Sequence, residues 1–265
     1  MNDEAKRPAS GHDPSASANS SDASSSQAWA DFWSGTHSIY VNARHMRVHY
    51  ERIAHDLARL IAARRAQYGT PLVLDWGCGD ALNAPALAGF CRELWLYDAV
   101  GAVQSRIAGR FTGASSIRVL SDADWHALLS DGRPGSLDMI IVVSVAQYLS
   151  RDDLESLMDR FRAALKPDGE VIFADIIPPH VSMVADIASL LATGLAKGFF
   201  LAACFGLAKT FFSEYRRIRA TAGFSCYEAD DFTSLLTRHG FQPERLAHNV
   251  GFNQQRMTFR AKPRA

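Results

Sequence analysis

Five short runs rich in Val, Ile and Leu, separated by segments with helical spacing, constrain the fold of this chain more than any other feature. The runs are Pro71 to Leu74, Leu94 to Tyr97, Ile117 to Leu120, Met139 to Val143 and Val171 to Ala174. None alternates cleanly between apolar and polar residues, so each reads as a strand covered on both faces. Strands joined in series by helices build a parallel sheet, because a parallel neighbour is reached only through a crossover. Two more strand-like segments, Arg245 to Val250 and Arg256 to Ala261, follow a helix expected over Ala229 to His239 and closed by Gly240. The pattern predicts an α/β, doubly wound sheet of seven strands.

Before the first strand, Met46, Tyr50, Ile53, Leu57, Leu60 and Ile61 recur at steps of three and four, the spacing of a helix with one buried stripe. The reading is an N-terminal helical cap over 28–66, with the main domain over 67–265. Residues 1–27 are dominated by Ser, Ala, Asp and Asn and hold little to bury, so they read as a disordered tail. Ser150 and Asp153 resemble a capping box that opens a helix with the stripe Leu154, Leu157, Met158, Phe161 and Leu165, and Lys166-Pro-Asp-Gly169 is expected to end it in a turn. From about 180 to 219 the rhythm breaks into apolar stretches, Ile187 to Ala196 and Gly198 to Ala208, interrupted by Lys197 and Lys209. Each is shorter than the roughly 18 apolar residues that read as a spanning helix, so a helical pair folded over the core is expected.

Charge argues against one class of partner. The chain of 265 residues carries 28 basic and 28 acidic side chains, so no global field draws it to nucleic acid. Cys78, Cys91, Cys204 and Cys226 form no CxxC pair and no Cys/His spacing suited to zinc, and no metal is expected. Scattered cysteines and the lack of a secretory leader predict a cytoplasmic protein.

The chemistry concentrates at Val73-Leu-Asp-Trp-Gly-Cys-Gly-Asp-Ala-Leu82, the junction between the first strand and its helix. Gly77 and Gly79 permit a tight turn and close approach of backbone to a ligand, and N–H groups opening a helix can hold an anionic group. Asp98 ends the second strand about twenty residues later, where a carboxylate can accept hydrogen bonds from ribose hydroxyls. Together these describe a nucleoside-binding crevice.

On these residues, and over Tyr68 to Arg260, the sequence resembles the class I, Rossmann-like S-adenosylmethionine-dependent methyltransferases of small-molecule type. Asp75, Gly77 and Gly79 match the first motif, with Ala81 where its third glycine would stand, and Asp98 matches the ribose acid. The resemblance implies S-adenosylmethionine as cofactor, with Asp122 or Asp124 near the adenine amino group and Ser144, at the end of the fourth strand, contacting cofactor and substrate. It also implies that the last strand inserts antiparallel into an otherwise mostly parallel sheet. Two other classes stay open at this point. A nicotinamide-dependent oxidoreductase shares the first two glycines and the acid, although its third glycine would fall on Leu82 and no tyrosine is followed four residues later by lysine. A catalytically silent binding protein of the same fold is the other.

Methyl transfer is an in-line displacement at a sulfonium, for which the protein supplies alignment, exclusion of water and a place for a proton. Position at the carboxyl ends of central strands makes Gln147, Tyr148, Asp175 and His180 the catalytic candidates, against packing or capping as the alternative role for each. His45 and His49, one turn apart beside Tyr40, read as a substrate-facing cap or as a solvated helix face. The apolar insertion, with Phe199, Phe200, Leu201, Phe205, Phe211 and Phe212, suggests a lid over a small apolar or lipid-like acceptor. Lys209, Arg216, Arg217 and Arg219 are compatible with peripheral contact to anionic lipid, while a dimer interface or extra core would explain the same residues.

Overall fold

A computed structural model describes residues 28–35, 40, 42–130, 135–180, 183–200, 202–204 and 223–264. The tail expected at 1–27 lies outside them, as do the four basic residues and most phenylalanines of the insertion.

A short helix, α1 (28–34), leads to α2 (Ala43–Tyr68), and the strands and helices then follow as β1 (Leu72–Trp76), α3 (Ala84–Ala88), β2 (Glu93–Tyr97), α4 (Gly101–Arg110), β3 (Ile117–Val119) and α5 (Asp122–Ser130). Next come β4 (Leu137–Val143), a 3₁₀ turn (Ala146–Tyr148), α6 (Arg151–Ala164), β5 (Leu165–Ile176), α7 (Met183–Lys197), α8 (Ala229–Arg238), β6 (Phe241–Arg245) and β7 (Met257–Pro263). Seven strands form one sheet in the order β3-β2-β1-β4-β5-β7-β6. β1 to β5 run parallel, and β7 is antiparallel to both β5 and β6, so the doubly wound, mostly parallel sheet is as expected.

Alternation within the strands divides the core in two. Leu72, Leu74, Trp76, Ile140, Val142, Val171 and Phe173 face α6 and α8, whereas Val73, Met139, Ile141, Ile172 and Ala174 face α2, α3 and α4. Phe161 of α6 is fully buried and meets Trp76, Trp125 and Phe173 at ring separations of 5.9, 6.0 and 5.9 Å. Burial of one such ring contributes about 2–3 kcal/mol.

Helix α2 is opened by the Asn42 side chain, which accepts a hydrogen bond from the His45 amide at 2.8 Å, and closed by Gly69 at φ 86°. Its second half supplies Leu57 and Ile61 to the core, and Arg64 is buried beneath it, donating to the Asp168 carbonyl at 2.9 Å. Its first half, with Met46, His49 and Tyr50 only half-buried, reaches the loops at the carboxyl ends of the strands.

Two boundaries differ from expectation. α6 ends at Ala164 and β5 begins at once, Leu165 pairing with Leu137 before the register shifts and Met139 pairs with Glu170. Lys166-Pro-Asp-Gly169 is therefore a bulge inside the strand rather than a turn before it, held by the Lys166 ammonium on Asp138 at 2.8 Å. The strand expected at Arg245 to Val250 lies earlier, at Phe241–Arg245, paired with Pro263 to Phe259 of β7, and beyond it Asn249 gives its side-chain amide to Asp175 and Asn253. Among the described residues no helix is long and apolar enough to cross a membrane.

Candidate active site

The strand order reverses between β1 and β4, and a crevice opens outside the carboxyl ends of the strands at such a switch. Gly77 and Gly79 line it with φ of 74° and 54°, a left-handed backbone that favours glycine. The Gly77 amide donates to the Tyr97 carbonyl at 2.8 Å, which ties the loop to the end of β2. A Cβ on Gly77 would lie 2.5 Å from Cγ2 of Val145, on the loop after β4, while one on Gly79 would enter open space. Ala81, in the place of a third glycine, also has positive φ, 45°, and is buried.

Asp98 joins this loop to β2. One of its oxygens accepts from the Gly79 amide at 3.0 Å and the other from the Val100 amide at 2.9 Å. A carboxylate has about four lone-pair sites, so one on each oxygen is left for a ligand hydroxyl. Burial raises the Asp98 pKa against those hydrogen bonds. At the end of β1, burial first and the Asp98 charge second push the Asp75 carboxyl up to about 7. No cation among the described residues is paired with Asp75. The left-handed glycine loop, the open side of Gly79 and the two carboxyls fit a nucleoside that carries positive charge.

The two acids on α5 separate. Asp124 caps its helix, accepting from the Ser121 amide and hydroxyl at 3.0 and 2.7 Å, and its other oxygen takes Arg118 at 2.8 Å. The Ser121 hydrogen bonds hold its pKa down. Asp122 uses a single oxygen, which accepts from the Tyr97 hydroxyl at 3.0 Å and the Gln104 amide at 2.7 Å.

Beyond β4 and β5, Ser144 and Asp175 both adopt positive φ, 57° and 66°, at strand exits. The Ser144 hydroxyl and Arg256 each donate to one Asp175 oxygen at 2.6 Å, and Asn249 donates to the other at 3.2 Å. These three donors make Asp175 an organiser of the crevice wall. Gln147 is buried, and among the described residues its amide oxygen has no hydrogen-bond partner, an arrangement that costs free energy unless something donates to it. Tyr148 packs within 4.9 Å of Trp29, 5.8 Å of Trp33 and 5.6 Å of Phe224. His180 is exposed in the turn before α7.

Sequence reasoning missed Trp29, Asn249 and Arg256, which reach the site from α1 and from the segment before β7. Only the onset of aromatic residues at Trp29 signalled any of them.

The residues 43–246 match a family model described as a methyltransferase domain. No curated protein matches the chain significantly by sequence. Among solved structures, the chain is similar to magnesium protoporphyrin IX methyltransferase (ChlM) from Synechocystis PCC 6803 with bound S-adenosylmethionine, at TM-score 0.53 and 13% identity, covering 98% of this chain and 100% of that one. It is similar to N-methyltransferase NodS from Bradyrhizobium japonicum WM9 in complex with S-adenosylhomocysteine, at TM-score 0.50 and 17% identity, covering 84% and 92%. It is also similar to the S-adenosylmethionine-dependent methyltransferase SibL, at TM-score 0.52 and 16% identity, covering 80% of this chain but spanning only 56% of that one. With the family model spanning most of its length, the chain belongs to the methyltransferase-domain family, and its seven-stranded sheet has the class I, Rossmann-like architecture of these structures.

Proposed function

We propose that this crevice binds S-adenosylmethionine through Asp75, Gly77, Gly79, Asp98, Asp122 and Ser144, and that the chain transfers its methyl group to a small, apolar acceptor. The observation that carries the donor half is the pair Asp98 and Asp75: one carboxylate held by two amides with acceptor capacity to spare, the other raised to about 7 with no cation of the described residues paired with it. Ribose hydroxyls suit the first and the positive charge of the donor suits the second. Asp122, with one oxygen uncommitted, is the better partner for the adenine amino group, since Asp124 is spent on its own helix cap.

When bound, S-adenosylmethionine supplies an electrophilic methyl on a positive sulfur. The rest falls to the chain's own residues. Gln147 offers its buried amide oxygen to a donor on the acceptor, and Tyr148, with Trp29, Trp33 and Phe224, walls the loop after β4 and excludes water. Asp175 keeps Ser144 and Arg256 in place. The insertion supports an apolar or lipid-like acceptor, because Phe199 packs inward while Leu195 and Phe200 stay 73% and 39% exposed, an arrangement suited to a lid or to peripheral membrane contact.

Calorimetric titration with S-adenosylmethionine, S-adenosylhomocysteine, NAD and NADP tests the donor half. Binding of the first two alone is expected; binding of a nicotinamide cofactor, or of none, would overturn it. In the same assay Asp98→Ala is expected to weaken S-adenosylmethionine at least tenfold, about 1.4 kcal/mol, with the melting temperature little changed. Unchanged affinity in the folded variant removes Asp98 from the site.

A further inference from the structure

The first half of α2, with Tyr40 three residues before it, brings four ionisable rings together. Tyr40 lies 5.4 Å from both His45 and His49 and 5.7 Å from Tyr50, and the two tyrosines share a hydrogen bond. His45 stacks on Phe199 of the insertion at 5.2 Å, so this end of α2 is sealed on its outer side. Two turns along from His49, the Asp56 carboxylate accepts from the Gly251 amide at 3.0 Å, which ties α2 to the segment whose Asn249 and Arg256 hold Asp175 at the end of β5. Tyr50 lies within reach of the charges of Asp75, at the end of β1, and of Asp80, on the glycine loop, and His49 within reach of those of Asp175 and Arg256. The cluster thus stands beside the carboxyl ends of β1 and β5, the side of the sheet where ligands bind in a fold of this kind.

We propose that His49 is the proton acceptor of the reaction, and that the substrate is therefore a molecule whose methylated atom is a protic oxygen or nitrogen. This inference rests on the donor reading above. The acceptor's lone pair forms the bond to the methyl carbon, the carbon–sulfur bond breaks with its electron pair left on sulfur, and the acceptor's proton passes to the His49 imidazole, to be released later to water. Burial lowers the pKa of His49, with Asp175 raising it and Arg256 lowering it, and burial together with His49 brings His45 down to about 4. Both rings are consequently neutral at pH 7, the state a proton acceptor needs. Burial raises the pKa of Tyr40 and of Tyr50, so neither hydroxyl ionises there and neither competes for the role. The timing also fits. A positive sulfur facing His49 depresses its proton affinity, and that charge vanishes as the methyl leaves, so the imidazole becomes more basic in the step that delivers the proton. The Asp175 charge favours the imidazolium, against that of Arg256.

That electrostatic coupling can be read without knowing the substrate. The full chain, labelled in its histidines, is titrated by NMR between pH 4.5 and 8 once saturated with S-adenosylhomocysteine and once with S-adenosylmethionine, which differ by the methyl group and its charge. His49→Gln and His49→Asn identify the resonance. The His49 midpoint is expected to fall by about one unit or more, a tenfold loss of proton affinity, when the sulfur becomes positive. A midpoint that is the same with both ligands, each shown to bind, overturns the assignment of His49 and leaves the donor reading standing. Failure of either ligand to bind overturns both.

Discussion

Gly77→Ala is expected to abolish measurable S-adenosylmethionine binding and to lower the melting temperature by several degrees. Two independent costs meet at this position. The left-handed backbone, φ 74°, is strained for any residue with a Cβ, by about 1–2 kcal/mol. The added carbon would also sit 2.5 Å from Cγ2 of Val145, a separation that forces one of the two to move. Val145 is branched at its β-carbon and has no flexible end to swing aside, so the displacement passes into the 3₁₀ turn at Ala146–Tyr148 that follows it. Both walls of the crevice shift, and a loss of more than about 100-fold in affinity, close to 3 kcal/mol, is the expected readout by calorimetry. The double variant Gly77→Ala/Val145→Ala separates the costs: relieving the contact should recover part of the stability while the strained φ remains. Wild-type affinity in Gly77→Ala alone would show that this loop does not hold the donor.

The parts of the molecule visible in its sequence were those set by local pattern. The apolar runs announced five parallel strands because burial on both faces leaves no polar alternation, and Gly77, Gly79 and Asp98 stood out because a left-handed turn and a strand-ending carboxylate are local features. The bulge at Lys166–Gly169 was misplaced by the same reasoning: the four residues are turn formers, and only the partner strand decides that the turn is absorbed into β5. What stayed hidden depends on contacts between distant segments. Trp29 donates to the Gly223 carbonyl across 194 residues, and Arg256 reaches Asp175 across 81. Position alone made Asp175 and His180 look equivalent, yet one anchors three donors and the other is an exposed turn residue. His45 and His49 were noticed for their spacing, but that spacing describes a solvated face as well as a cap; their half-buried rings, packed on Phe199, Tyr40 and Tyr50, argue against a solvated face.

Asp75→Asn is expected to strengthen the ligand-free protein and to disable it. In the folded chain the Asp75 carboxyl titrates at about 7, whereas in the unfolded chain it titrates near the ordinary value of 3.8. Between these two values the folded state binds more protons than the unfolded state, so the contribution of Asp75 to stability falls as pH rises from about 4 to about 7 and is level above that. The difference of roughly three pH units corresponds to an upper bound of about 4 kcal/mol at pH 8. Asparagine keeps the shape without the charge. The variant should therefore melt at a higher temperature than the parent at pH 8, with the gap closing as pH is lowered towards 4. Binding should move the other way. A cation in the crevice favours the ionised carboxyl, so affinity of the parent for S-adenosylmethionine is expected to improve as pH rises to about 7, with protons released on binding below it. Asp75→Asn should lose that pH dependence and bind about 100-fold more weakly, since the amide has no negative charge to set against the positive ligand. Thermal melts and calorimetry at pH 5, 6.5 and 8 read both effects. If stability rises but affinity and its pH dependence are unchanged, Asp75 is a buried acid of the fold and no part of the donor site; if neither changes, the carboxyl is not raised at all.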